Sequence, residues 1–171
     1  MTDPIKLGCA IMTVSDTRTA GDDTSGNLLA QNVAHAGHLC VRREIVPENI
    51  YQIRRVISDW IADPAVQVIL TTGGTGFSHK NSLPEAVAPL FDKEITGFGE
   101  LFRQLSYADV GSSTIQSRAL AGYANDTVIF CMPGSNHACE MAWTQIIREQ
   151  LDSSYKPCNF ATHLHRRANA A

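Results

Sequence analysis

Three stretches of this 171-residue chain crowd hydroxyls, carboxylates and glycines together: TVSDTRTAGDDTSG (13–26), GGTGFSHKNS (73–82) and MPGSNHA (132–138). In GGTG the missing Cβ atoms let the backbone turn sharply and bring several N–H groups toward one anion. A helix starting near Leu83 would add the positive end of its dipole. That is the chemistry of an oxyanion or phosphate cradle. Pro133-Gly134-Ser135 repeats the arrangement ahead of another helix, with a hydroxyl as a further donor. Two such turns suit two anionic groups, or one ligand that carries a phosphate and a polar ring. The alternative, that each turn only connects a strand to a helix, loses weight because three equipped loops recur.

Common phosphate motifs do not account for these loops. The chain has no G-x-x-x-x-G-K-[ST] string, and His79 stands where G-x-G-x-x-G needs its third glycine. Five cysteines, Cys9, Cys40, Cys131, Cys139 and Cys158, are scattered without a CxxC pair, so neither a disulfide framework nor a zinc site is expected. Cys9 and Cys131 lie in apolar runs and read as buried free thiols. His35 and His38 are spaced to share a metal, but no third ligand is near in sequence, and a solvated helix end is the commoner outcome.

The elements that must position the loops follow from hydrophobic periodicity. IKLGCAIMTVSD reads as a buried strand ending near Asp16. Asp22 or Asp23 can cap a helix from about Thr24 to Ala36, stopped by Gly37. HLCVRREIVPE is a second strand. NIYQIRRVISDWIA repeats apolar residues at the helical period, and VQVILTT is unbroken in hydrophobicity, as a central parallel strand should be. Ser82 and Glu85 form an S-x-x-E capping box with Pro84 in the first turn, predicting a helix to about Phe91. A helix from near Gly97 to Tyr107, a Gly/Ser-rich loop DVGSSTIQSRALAG, the strand TVIFCMP and a helix from Asn136 to Leu151 complete the chain.

Strand and helix in alternation imply a single three-layer α/β domain, a mostly parallel sheet with helices on both faces. In such sheets ligands bind beyond the carboxyl ends of the strands, where all three loops lie. The domain is expected to span residues 5–160, leaving 161–171 as a polar, disordered tail. With 44% hydrophobic residues the chain can core one domain. Seventeen acidic against fourteen basic residues, without a basic stripe, argue against nucleic acid as a partner. MTDPIKLGC lacks the marks of a signal peptide, and no apolar run approaches the roughly 20 residues that span a bilayer, so no membrane association and a cytoplasmic location are expected. The segment EITGFGELFRQLSY offers Ile95, Phe98, Leu101, Phe102 and Leu105, more apolar surface than a short helix can bury on a small sheet, which predicts a homo-oligomer.

TVSDTRTAGDDTSG, TTGGTGFSHKNSLPEA, EITGFGELFRQLSY, STIQSRALAG and FCMPGS, in this order and spacing, resemble the molybdopterin-binding domain family, most closely its bacterial MoaB branch. The resemblance covers roughly Lys6 to Phe160. It implies an α/β domain that binds molybdopterin, assembles as a trimer or a dimer of trimers, and works with other proteins of molybdenum cofactor biosynthesis. In active branches it also implies transfer of AMP from Mg-ATP to the pterin's terminal phosphate.

Carried over by position, Gly73, Gly74, Thr75 and Gly76 would hold the phosphate end of the pterin. Ser15 and Asp16 would line the neighbouring strand end, Ser117 and Arg118 would add polar contacts, and Pro133, Gly134 and Ser135 would form the facing loop. The chain departs from the family at one position. Adenylyl transfer sets an anionic nucleophile against a triphosphate, so Mg²⁺ must neutralise charge and carboxylates must hold it. The adenylyltransferase pattern has an Asp where this chain has Asn81, and an acid where it has Glu48. The resemblance implies Glu48 as the remaining, weak Mg²⁺ ligand of a Glu48–Asn81 catalytic pair, with Asp22 or Asp23 helping to hold the metal. The family resemblance thus leaves two expectations: a slowed adenylyltransferase using Mg²⁺ and ATP, or a non-catalytic molybdopterin-binding oligomer.

Overall fold

The computed structural model describes residues 4–168, with side chains described as far as Leu164. A six-stranded sheet runs in the order β2 (Leu39–Val46), β1 (Gly8–Val14), β3 (Val68–Thr72), β6 (Thr127–Met132), β5 (Leu120–Ala124), β4 (Lys93–Glu94). The first four are parallel; β5 runs antiparallel to β6, and β4 to β5. Every residue of β1, β3 and β6 is buried, which explains their unbroken apolar runs. The polar strand β2 lies at the edge.

Alternate strand residues feed two cores. On one face Cys9, Ile11, Leu70 and Phe130 pack with Leu29 and Val33 of α1 (Thr24–His35), Phe98 and Phe102 of α4 (Thr96–Val110), and the last long helix. That helix runs as α5 (Asn136–Ala142), a π-helical stretch Trp143–Ile147, and α6 (Arg148–Leu151). On the other face Met12, Ile69 and Ile129 pack with Ile53, Val56, Ile57 and Trp60 of α2 (Ile50–Ala62) and with Leu83, Ala86 and Val87 of α3 (Leu83–Val87). The three-layer α/β expectation holds.

The structure departs from the sequence reading in several places. The chain goes on packing past Phe160: α7 (Ala161–Ala168) is helical, and Ala161 and Leu164 are fully buried in the first core, where a disordered tail was expected. Residues 169–171 of that tail lie outside the described residues. Helix α3 is only five residues, followed by a 3₁₀ turn Ala88–Leu90, and Ser82 makes no side-chain cap bond. The capping box fails because the Glu85 carboxylate meets the Arg118 guanidinium instead, and a charge-assisted bond outcompetes a backbone N–H. The segment read as a Gly/Ser loop ends in strand β5. Phe98 and Phe102 belong to the core, so the exposed apolar residues of this region are Leu101, Tyr107, Val110 and Ile115. Cys9, Cys131 and Cys139 are buried free thiols, and burial pushes Cys131 up to about 12. His38 is not a solvated helix end: it is buried, and its Nδ1 accepts the Leu7 N–H.

Candidate functional site

The carboxyl ends of β1, β3 and β6 open into a pocket of about 460 Å³. Its floor and walls are the ends of β1 (Thr13, Val14, Ser15) and β3 (Thr72 to Gly76), with Pro133 and Gly134 after β6. Glu48, Arg18, Ser25, Gln116 and Ser117 complete the lining. The glycines are required by geometry. Gly73 and Gly74 sit at φ +93° and +72°, where side chains are strained. A Cβ on Gly73 would lie 2.4 Å from the Val14 carbonyl oxygen, and one on Gly76 2.5 Å from Asn81 Oδ1.

The glycine loop is polarised toward anions. Three of its carbonyls are tied back: Gly74 O accepts the Leu83 N–H at 3.1 Å, while Thr75 O and Gly76 O accept from Arg118. The Gly73 N–H bonds Met132 O, but the N–H groups of Gly74, Thr75 and Gly76 have no acceptor among the described residues. Three open donors on a loop whose acceptors are occupied favour a negatively charged ligand group. Arg118 is the organiser of this loop and does not line the pocket. Its Nε donates to Thr75 O at 3.1 Å, its Nη2 to Gly76 O at 2.7 Å and Asn81 O at 2.8 Å, and its Nη1 pairs with Glu85. Its neighbour Ser117 does line the pocket, and its buried Oγ has no partner among the described residues.

At the acidic edge, Asp16 and Glu48 come together, each already engaged. Asp16 Oδ1 accepts the Glu48 N–H at 2.9 Å, and Oδ2 pairs with Lys80 Nζ at 2.9 Å. The Lys80 hydrogen bond, followed by the Glu48 N–H, holds the Asp16 carboxyl below its usual range, and Asp16 raises Lys80 in turn. Asn81 Nδ2 donates to Glu48 Oε2 at 2.7 Å. The orientation of that amide is fixed by its other end, since Asn81 Oδ1 accepts the Ser78 N–H at 3.2 Å. Of these four residues only Glu48 lines the pocket.

The remaining candidates make local bonds. Ser135 caps α5 by accepting the Ala138 N–H. Asp22 accepts from Thr19. Asp23, 1% exposed, caps α1 by accepting the Gly26 N–H, takes the Thr13 hydroxyl at 3.0 Å, and pairs with Arg43 of β2 at 2.7 Å. Neither Asp22 nor Asp23 lines the pocket. The sequence reading did not single out Thr13, Arg18, Ser25, Thr72 or Gln116. Among the described residues Arg18 is the only Lys or Arg lining the pocket, held in part by its bond to Asp22 O at 2.7 Å. Its place in a loop leaving a strand end was the available signal.

A family model described as "Probable molybdopterin binding domain" matches residues 10–153. The chain belongs to this family. It is 53% identical over 165 residues to molybdenum cofactor biosynthesis protein B of Escherichia coli K12, covering 96% of this chain and 97% of that protein. The Bacillus cereus protein of that name is 43% identical over 149 residues, covering 86% and 88%. Among solved structures, a molybdenum cofactor biosynthesis protein B superposes with a TM-score of 0.89 at 40% identity, covering 96% of this chain and 99% of that one. The tungsten cofactor synthesizing protein MoaB of Pyrococcus furiosus superposes at 0.77 with 34% identity, covering 85% and 92%. The molybdopterin-binding domain thus spans nearly the whole sheet, and the role of this chain is in molybdenum cofactor biosynthesis.

Proposed function

We propose that the pocket binds molybdopterin, its terminal phosphate resting on the open N–H groups of Gly74, Thr75 and Gly76. The observation that carries this reading is the polarity of the glycine loop, where the carbonyls of Gly74, Thr75 and Gly76 are bonded and their amides are not. Arg18 supplies positive charge and the unpartnered Ser117 hydroxyl a donor or acceptor for the polar ring. The chain acts as a binding protein of the pathway, in the cytoplasm, alongside the proteins that make and consume the pterin. The exposed Leu101, Tyr107, Val110 and Ile115 are the contact by which copies assemble into a trimer or a dimer of trimers.

The second reading is adenylyl transfer from Mg-ATP to the bound pterin, and the Glu48 carboxylate in the pocket lining favours it. The rest of the donor set does not suit Mg²⁺. Hard cations take free carboxylate and carbonyl oxygens, whereas Glu48 is turned to an amide N–H and Asp16 to an ammonium. Among the described residues no three His, Cys, Asp or Glu side chains come together to hold a metal. A titration with molybdopterin, with and without Mg-ATP, tests both readings. Stoichiometric binding without release of pyrophosphate is expected. Pyrophosphate release at about 1 s⁻¹ or faster would establish the transferase instead, and absence of binding would refute the assignment.

A further inference from the structure

The acidic edge of the pocket carries its own counter-charges. Asp16 and Glu48 belong to different strand-end loops, and a hydrogen bond from the Glu48 N–H to Asp16 Oδ1 joins them. Two residues adjacent in sequence then meet one carboxylate each: Lys80 Nζ lies 2.9 Å from Asp16 Oδ2, and Asn81 Nδ2 lies 2.7 Å from Glu48 Oε2. A divalent ion between these carboxylates would need their oxygens free and would be repelled by the ammonium. Asn81 cannot simply turn over to offer its oxygen, because Oδ1 is held by the Ser78 N–H and its backbone oxygen by Arg118.

We propose that Lys80 and Asn81 stand in the place of a divalent cation at the pocket's acidic edge, so that this pocket takes its phosphorylated ligand without metal, the Lys80 ammonium offsetting one of the two carboxylates that a metal would bind. The ligand in this statement rests on the molybdopterin reading; the exclusion of metal does not. One positive charge offsets the Asp16 carboxylate and one amide donor bonds that of Glu48, leaving the glycine loop to the phosphate. The arrangement suits binding in the ground state and lacks the added charge that adenylyl transfer needs as it proceeds.

Mn²⁺ serves as the probe, followed by paramagnetic resonance, on the full native chain. Native protein is expected to bind it with a Kd of about 1 mM or weaker, at the limit of the weakest carboxylate sites. The double substitution Lys80→Ala with Asn81→Asp removes one positive charge and adds a negative one, and it should tighten Mn²⁺ binding by at least about tenfold, with a further Glu48→Gln abolishing the gain. Thermal melting confirms that the variants are folded; if the double variant is not, Lys80→Ala alone should show a smaller gain. Micromolar Mn²⁺ binding by native protein, or no gain in folded variants, would overturn the proposal. In a second arm, molybdopterin affinity should change by less than about twofold on adding a chelator, and Lys80→Ala should weaken it by up to about fivefold, the size of an exposed charge contact. A tenfold loss on chelation would overturn the proposal and leave the pterin site standing. Failure to bind molybdopterin with or without metal would instead remove the pterin reading, while the Mn²⁺ result still decides whether the edge excludes metal.

Discussion

At the scale of single residues, the cradle depends on side chains that are absent and on one that is fully bonded. A valine at Gly76 would drive its Cβ against Asn81 Oδ1, breaking the Asn81–Ser78 bond that shapes the loop. Gly76→Val should therefore abolish molybdopterin binding while circular dichroism stays unchanged; retained affinity would sink the cradle. Arg118 matters for what its fork of donors does to the loop. A lysine there keeps the charge but cannot span Thr75 O, Gly76 O, Asn81 O and Glu85 together. Arg118→Lys should weaken molybdopterin about tenfold, equivalent to one or two net hydrogen bonds. Equilibrium titration beside a thermal melt would separate that loss from a general loss of fold.

At the scale of elements, Asp23 fastens three pieces whose ends form the pocket: it caps α1, takes the Thr13 hydroxyl of β1 and pairs with Arg43 of β2. Removing Arg43 leaves Asp23 buried without a cation, whereas removing Asp23 takes away the cap and leaves the buried Thr13 hydroxyl unpaired as well. Arg43→Ala should thus cost about 3 kcal/mol, lowering the melting temperature by roughly 6–12 °C, and Asp23→Ala at least as much; an unchanged melt for either variant would contradict the fastening role. The parallel strands and the long helices were legible because each buries a whole run or one helical face. The short strand β4 carries too few residues to show any period. The strand β5 was masked by Gly122, where the Phe91 ring occupies the space of a side chain. In the site, GGTG could be read from backbone needs alone. The bonds that set its polarity could not, because Arg118 lies 37 to 43 residues from the carbonyls it holds. A separation of 33 residues likewise hid the Arg118 contact that diverted Glu85 from its expected cap.

At the scale of the whole molecule, one sheet presents two different surfaces: a polar pocket at the strand ends and an apolar patch along α4 and the 3₁₀ segment after it. Ile115 and Tyr107 are 76% and 62% exposed, an arrangement that costs solvation unless another surface covers them. Tyr107→Ser combined with Ile115→Ser should shift sedimentation from an oligomer to a monomer at micromolar concentration, while native protein that already sediments as a monomer would refute the assembly. In the proposed pocket three open amides and Arg18 recognise a phosphate. The most direct measurement compares the affinity of native protein for molybdopterin and for the same pterin after enzymatic removal of its phosphate. The account predicts that the dephosphorylated pterin binds at least about a hundredfold more weakly, two charge-assisted contacts' worth. Equal affinity for the two would show that the glycine loop does not hold the phosphate.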